Sequence, residues 1–585
     1  MSANFSFSKA SIRQTCFTIN VPLRYKTIFH PHHSNVMQPS VEPSLDLTIS
    51  ERAMEAARTA VEKSTLVGLD PAARALLAIH GLRTQISGLV RTFEFVLPED
   101  LLGEPANAES VSQEPQILPP DIQAAVFMYL LQGKVVSAVE TVVQADRVAH
   151  SGKFDAGTGV YLAEAAGQQV VIVTDPELRN EILKTKNLRL NVTRDPRVGA
   201  IVGHPSSLST DPDTELWSQL RRITEDHIGR GALPRHDEAM REAGIDLFES
   251  LKEGDIVDPF ALGREFAVAT MSNLLIGENH SEEVQTLKGL LTECLSIIEE
   301  QGPRYLVSPI SQIKDEAEKD NMTQKVYPLL RKAFDTIEKV IQRLIDIERK
   351  AIDQGEPSDS FITALLNAGI DETIIRNQFR TLALAGTATT AATIGWLLYS
   401  LGQNPEAFEK LRDEVSEFID TNGGIDNITE IDSGEPDGPI VPQDSETSLP
   451  YARAAIKETL LHYNPAAMMS RVVTKDFEAG GYRFHAGQTI IFDTHVSTLH
   501  AFAKPLPFDP ERFLEGLSEN EAQTYRPFGD GPSKCSGRRF GNKQALWLIT
   551  ALVNSGIKLE PTGTTEISGE ATMNPKDPCR MRVRS

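Results

Sequence analysis

Positive charge is scarce in this chain: 58 Lys+Arg stand against 81 Asp+Glu over 585 residues, a formal charge of −23. A nucleic acid or an anionic membrane therefore has no general electrostatic attraction to it. Cysteine is scarce too, with four residues (Cys16, Cys294, Cys535 and Cys579) and no CxxC or CxxxC spacing. That scatter argues against a zinc module or a disulfide framework and for a reducing compartment, so any cysteine that matters matters singly. No apolar run near the N-terminus approaches the ~20 residues of a spanning helix, and no internal repeat is evident. At 40% hydrophobic and 24% charged residues the chain is too apolar for wholesale disorder and long enough for a large core.

Three local absences organise the rest. Residues 1–41 have no acid, carry Lys9, Arg13, Arg24 and Lys26, and are rich in serine, which suits an organelle presequence, a disordered tail, or a true start at Met37. Residues 42–120 read as a helical extension, with apolar residues three and four apart, closed by a Pro-rich linker at 105–120. Residues 413–450 contain eleven acids and no Lys or Arg, which predicts an acidic surface insert at 413–449. Between Thr381 and Pro405 there is no charge at all, but five threonines, Gly386 and Gly395 interrupt the stretch. That composition speaks against a membrane span and for a helix buried through the middle of a large domain, ~35 Å long at ~1.5 Å per residue.

From Ile122 a helix is expected. Strands follow near 159–174, then a helix entered at Asp175-Pro176, with proline at the first helical position. Helices dominate from Trp217 to Gln403, strands return near 480–493, and a last helix runs from about Gly537 to Asn554. Cys535 lies in Pro527-Phe528-Gly529-Asp530-Gly531-Pro532-Ser533-Lys534-Cys535-Ser536-Gly537, immediately before that helix. Glycines on both sides permit a tight turn and close approach to the sulfur. The helix N-terminus is expected to favour thiolate, the form a metal ligand requires.

This loop resembles the haem-ligand loop of the cytochrome P450 family at Phe528, Gly529, Gly531, Cys535 and Gly537. Four further segments are similar to family motifs, in the same order. Ala385-Gly386-Thr387-Ala388-Thr389-Thr390 resembles the oxygen-binding helix, and Lys457-Glu458-Thr459-Leu460 stands where the ExxR helix should be. Phe508-Asp509-Pro510-Glu511-Arg512-Phe513 resembles the PERF segment, and Trp217 with Arg221 the WxxxR helix. The resemblance covers residues from about 121 to the C-terminus. It implies a mainly α-helical fold with a small β-sheet region and a buried b-type haem (iron protoporphyrin IX). Cys535 would be the iron ligand, with Phe528, Gly529 and Gly537 shaping its loop. Trp217, Arg221 and Arg471 would meet the propionates through charge-assisted hydrogen bonds, and Thr389 would be the catalytic hydroxyl.

Three positions depart from the family pattern: Ala388 replaces the acid before the threonine, Leu461 the ExxR arginine, and Ser533 the basic residue two before the cysteine. The loss at Leu461 leaves Glu458 short of a cation, with Arg512 still in reach. The resemblance implies a monooxygenase that inserts one oxygen atom from O2 into an apolar small molecule, in a secondary-metabolite tailoring step. Reducing equivalents would come from NAD(P)H through a reductase or ferredoxin. An isomerase or dehydratase acting on an oxygenated substrate and a haem-binding pseudo-enzyme are the alternatives. Neither a nucleic-acid partner nor a transmembrane anchor is expected. The expected location is intracellular, cytoplasmic or peripheral to a membrane, with mitochondrial import as the alternative the acid-free tail offers.

Overall fold

The computed structural model describes residues 114–118, positions 123, 126, 138, 139, 141 and 142, and residues 159–585 apart from 166–167, 195–205, 278–280, 307–314, 432–447, 503–506 and 568–572. The acid-free tail, the helical extension and most of the linker lie outside the described residues. The chain divides into units 1–96 and 97–585, and all that follows concerns the second.

Among the described residues its largest sheet has six strands, β1 (Gln116–Ile117), β2 (Val160–Ala165), β3 (Gln168–Val173), β4 (Val192–Arg194), β6 (Met468–Val473) and β9 (Thr489–Asp493), in the order β1-β2-β3-β9-β6-β4. Alternate residues of these strands point to opposite faces, and here both faces are covered. Tyr161, Ala163, Val170, Ile172 and Ile491 enter one apolar cluster, while Val160, Leu162, Val171, Val173, Ile490 and Phe492 enter another. Burial on both sides explains why Val170-Val171-Ile172-Val173 reads as an unbroken apolar run rather than an alternation. A three-stranded sheet joins β10 (Lys558–Pro561), β11 (Met581–Arg584) and β5 (Ile256–Val257), and β7 (Phe477–Ala479) pairs with β8 (Tyr482–Phe484).

Helices make up most of the remainder. Those that position the site are α1 (Pro176–Lys184), α2 (Glu215–Ile228), α3 (Asp237–Glu249), α4 (Pro259–Ile276), α5 (Glu282–Leu306), α6 (Pro328–Asp353), α7 (Glu372–Gln403), α8 (Pro405–Thr421), α9 (Pro450–His462) and α10 (Arg538–Asn554). Helix α1 starts as its sequence predicts, with the Asp175 carboxylate accepting from the N–H groups of Glu177 and Leu178 and Pro176 at the first position. Helix α7 is the one helix among the described residues long and apolar enough to cross a membrane, and most of its apolar window is buried in the protein. It lies against α4 at near contact: a Cβ at Gly395 would sit 2.4 Å from Phe260 Cδ1, and one at Gly263 2.7 Å from the Ala391 carbonyl oxygen. Glycine is required there by the close approach of the neighbouring helix, its Phe260 ring at Gly395 and its backbone at Gly263, rather than by a turn. Next along α7, Trp396 stacks on Tyr463 at 4.0 Å and donates to the Met573 carbonyl at 2.6 Å, tying the helix to the segment after α9.

One expectation is corrected. The acidic stretch read as a surface loop from 413 begins inside α8, which runs to Thr421. Glu414 accepts from the backbone N–H groups of Tyr451 and Ala452 at 2.7 and 2.9 Å. It thus satisfies two of the orphan donors at the start of α9, where an anion also suits the helix dipole. Composition could not separate that residue from its solvated neighbours.

Two histidines outside the site make a pH prediction. His236 is 4% exposed, packs edge-on against Phe540 and His227, and reaches the His227 carbonyl at 3.1 Å. Burial pushes its pKa down to about 4, with His227 and Arg235 adding to the effect and the His227 carbonyl and Asp359 opposing it. Burial lowers His227 too. The unfolded chain therefore takes up protons that the fold refuses, so stability is intact above about pH 6.5 and falls as pH drops from there towards 4. Between pH 7.5 and 5 the expected loss from His236 is about 2 kcal/mol, read as a lower urea midpoint. His236→Gln should flatten that acid limb, and an unchanged limb would contradict the assignment.

Candidate active site

The Cys535 loop is built by backbone hydrogen bonds. Cys535 N–H donates to the Phe528 carbonyl at 2.9 Å, Lys534 N–H to Gly531 at 3.2 Å, and Gly529 N–H to Arg526 at 3.0 Å. Gly529 and Gly531 have φ of 72° and 68°, the left-handed region. At Gly531 a Cβ would also lie 2.6 Å from the Leu183 carbonyl at the end of α1. Gly537 is different. Its φ is −80° and a Cβ there would sit 3.9 Å from Cys535 Sγ, an ordinary contact. What Gly537 supplies is its N–H, which donates to the sulfur. Asp530 clamps the loop from outside, through Lys184 at 3.2 Å and Arg526 at 3.3 Å.

Cys535 is exposed, yet burial is the leading influence on its thiol. Both statements hold because Cys535 borders an inward-facing surface. Burial raises its pKa, opposed by the Gly537 N–H and by Arg221 and Arg538. This corrects the expectation from the helix N-terminus: in the protein alone desolvation outweighs the Gly537 N–H and the two guanidiniums, and the thiolate needs a further cation, such as a metal ion.

The central helix presents a matching surface. Ala385 is exposed and Gly386, Ala388 and Thr389 are half-buried, whereas Ala383, Leu384, Thr387, Thr390, Ala391 and Ala392 are buried. So between Ala383 and Ala392 α7 is open along one stripe. Thr390 behind that stripe reaches Gln544 Oε1 of α10 at 3.4 Å, and Gln544 donates onward to Thr270 of α4 at 2.6 Å. That network sets the open stripe beside the helix that Cys535 precedes. The Thr389 hydroxyl donates to the Ala385 carbonyl at 2.6 Å. It therefore holds its proton on its own helix and turns an acceptor lone pair outward.

Arginines cluster at the other side of the loop. Arg221 Nη1 donates to the Lys534 carbonyl at 2.7 Å and the Ser536 hydroxyl at 2.8 Å, bracketing Cys535, while Nη2 pairs with Glu225 at 2.6 Å. The Trp217 ring, one turn earlier, lies 5.8 Å from the same guanidinium. Arg471 on β6 stands opposite Arg194 on β4 in the strand register. Burial pushes the Arg471 pKa down to about 9, Arg194 lowers it further, and Asp211 opposes. Arg194 is lowered in the same way, with Arg221 contributing, and its buried Nε has no partner among the described residues. Sequence reasoning missed Arg194, because nothing short of the β4–β6 pairing places it beside Arg471. Arg194 and Arg471 share Asp211, itself engaged by the Thr193 hydroxyl at 2.7 Å and the Arg194 N–H at 3.2 Å. Cations crowded this closely call for an anionic partner.

Sulfur on an inward-facing surface, a one-sided opening in the central helix and surplus guanidinium charge are the donor set that suits a haem: a thiolate for iron and cations for two propionates. The cytochrome P450 family model matches residues 153–571. The chain belongs to the cytochrome P450 family. Among its relatives are 2-hydroxyisoflavanone synthase of Glycine max, 26% identical over 416 residues covering 66% of this chain and 74% of the relative, and cytochrome P450 6d3 of Musca domestica, 26% identical over 389 residues covering 58% and 70%. Cyclooctatin synthase of Streptomyces melanosporofaciens is 30% identical over 300 residues, covering 48% of this chain and 58% of that protein. Family membership makes this P450 a haem enzyme of the monooxygenase type, and P450s in general draw NAD(P)H-derived electrons through a redox partner.

The ExxR region of this P450 is rebuilt around its missing arginine. Glu458 is fully buried and accepts from Arg512 Nε at 2.8 Å and from the Asp509 N–H at 2.9 Å. Leu461 is 1% exposed and packs with Ala454, Phe502, Phe513 and Tyr525, so an arginine has no place there. His462, which sequence reasoning passed over, approaches Glu458 Oε1 at 3.0 Å. The signal was available in the four-residue spacing of Glu458 and His462, which puts both on one helix face.

Proposed function

We propose that this P450 holds a b-type haem through Cys535 and inserts one oxygen atom from O2 into an apolar small molecule, as a tailoring step in secondary metabolism. The observation that carries the reading is Cys535, open on an inward surface, with Arg221 and Arg538 acting on its sulfur and Arg194 and Arg471 beyond Arg221. A bound haem thiolate supplies oxygen activation, the thiolate favouring O–O cleavage. The protein does the rest. Phe528, Gly529 and Gly537 hold the loop that presents the sulfur, and Gly537 N–H tempers its charge. Arg471 and Arg194, both half-buried, offer guanidinium donors to the propionates. Arg221, with Trp217 against it, adds charge and fixes the backbone on either side of Cys535.

On the α7 side only small groups, Ala385, Gly386, Ala388 and Thr389, line the opening, which favours an apolar substrate lying against the helix. Thr389 is the one hydroxyl among them. With Ala388 beside it in place of an acid, proton delivery falls to Thr389 together with water or the substrate's own hydroxyl groups.

Purified protein, reduced and exposed to carbon monoxide, should show the strongly red-shifted Soret band of thiolate ligation. Cys535→Ala should lose the band and Cys294→Ala should keep it. Haem-free protein from haem-replete cells would overturn the reading. Product formed from an oxygenated substrate with no reductant consumed would assign the site to rearrangement instead of oxygen insertion.

A further inference from the structure

Leu461 removes a cation from the ExxR helix, yet Glu458 is not short of donors. Its Oε2 accepts Arg512 Nε, and its Oε1 accepts both the Asp509 N–H and His462 Nε2. His462 sits four residues along α9 instead of three, on the same face. Its side chain is 16% exposed against 0% for Glu458, so it closes the solvent side of the carboxylate. The ring also lies 6.1 Å from Phe508 and 6.0 Å from Tyr463. Phe508, Asp509 and Arg512 form the segment that runs on towards the cysteine loop, and Tyr525, further along, donates its hydroxyl to the Lys457 carbonyl of α9 at 3.0 Å. His462 therefore touches both pieces that Glu458 joins.

We propose that His462 is a positioning residue that completes the Glu458 donor set in place of the displaced arginine and so fixes the 508–513 segment that leads to Cys535. Its consequence for haem rests on the haem-thiolate reading above. Donation needs only an Nε2–H, which one neutral tautomer and the imidazolium both carry. An exposed helical pair contributes little. This pair differs because its acceptor is fully buried, so removing the donor leaves a lone pair of a buried carboxylate unmatched.

The test uses full-length holoprotein carrying His462→Leu or His462→Gln, each alone and with Glu458→Gln. The readouts are the half-life of haem transfer to a scavenging apoprotein and the share of the reduced carbon monoxide complex in the thiolate band. His462→Leu should shorten the half-life roughly tenfold and move part of the complex out of the thiolate band. His462→Gln, which restores an N–H donor at similar reach, should recover most of both. With Glu458→Gln present, where His462 meets at most an uncharged amide oxygen, His462→Leu should shorten the half-life clearly less than it does in the wild-type background. A His462→Leu protein within twofold of wild type in both readouts overturns the proposal, as does an equal loss in both backgrounds. Should the Glu458→Gln protein not fold, failure of His462→Gln to recover the loss overturns it. Wild-type protein that never shows a thiolate band sinks the haem-thiolate reading instead. The positioning claim is then judged on haem-free protein, where His462→Leu should raise the rate of Cys535 modification by a thiol reagent severalfold and an unchanged rate overturns it.

Discussion

Asp237→Ala is expected to destabilise the protein by about 3 to 5 kcal/mol, the cost of breaking a buried ion pair by removing one partner. Asp237 opens α3 at 3% exposure, and its Oδ2 lies 2.5 Å from Lys543 Nζ, whose side chain is 1% exposed. Its other oxygen accepts the Trp547 indole N–H. Lys543 and Trp547 stand one turn apart on α10, so the carboxylate grips the helix that follows Cys535 at two points. Burial raises the Asp237 pKa, and the Lys543 and Trp547 donors oppose that rise without cancelling it. With alanine in place the Lys543 ammonium is left in an apolar site, where it must shed its proton or draw in water. Urea midpoints should fall accordingly. Asp237→Ala combined with Lys543→Met should recover much of the loss, because an apolar pair of similar volume carries no stranded charge. A loss below about 1 kcal/mol, or a double variant no better than the single, would show that the pair is screened by water and is not the anchor described here.

Glu458→Ala should be comparably severe, roughly 3 to 5 kcal/mol, and should also lower haem content. The carboxylate is the common acceptor for Arg512, the Asp509 N–H and His462. Removing it unsatisfies all three at once, across a junction between α9 and the segment leading to the cysteine loop. Glu458→Gln should fall between wild type and alanine, since an amide oxygen can keep one or two of the donors but its NH2 group faces the others as a fourth donor. Haem stoichiometry and urea unfolding on the same preparations measure both effects. Full haem content with a wild-type midpoint in Glu458→Ala would mean that Leu461 and its apolar neighbours alone hold the junction.

The sequence read well wherever chemistry sits in a short contiguous stretch. The Cys535 loop declares itself through glycines whose positive φ the structure confirms at Gly529 and Gly531. The α7 helix declares itself through the lack of charge from Thr381 to Pro405, and the helix after Asp175 through its cap. Reading failed where a residue's meaning depends on what lies across a gap in the chain. Glu414 looked like one acid among eleven until the start of α9 was found against it. Arg194 carries no signal in the sequence, and only the pairing of β4 with β6 sets it opposite Arg471.

By itself the sequence determined the family, the glycine-flanked loop around Cys535, the central helix and the three departures at Ala388, Leu461 and Ser533, because each is a property of residue type at fixed spacing along one backbone. Tertiary structure alone decided the charge state the site favours and the way the departures are accommodated. Desolvation of the Cys535 thiol, the surplus of guanidinium at Arg194, Arg221 and Arg471, and the filling of Leu461's surroundings by Phe502, Phe513 and Tyr525 are sums over neighbours brought in from distant segments. Burial and Coulomb energies depend on distance in space, and distance along the chain does not fix that.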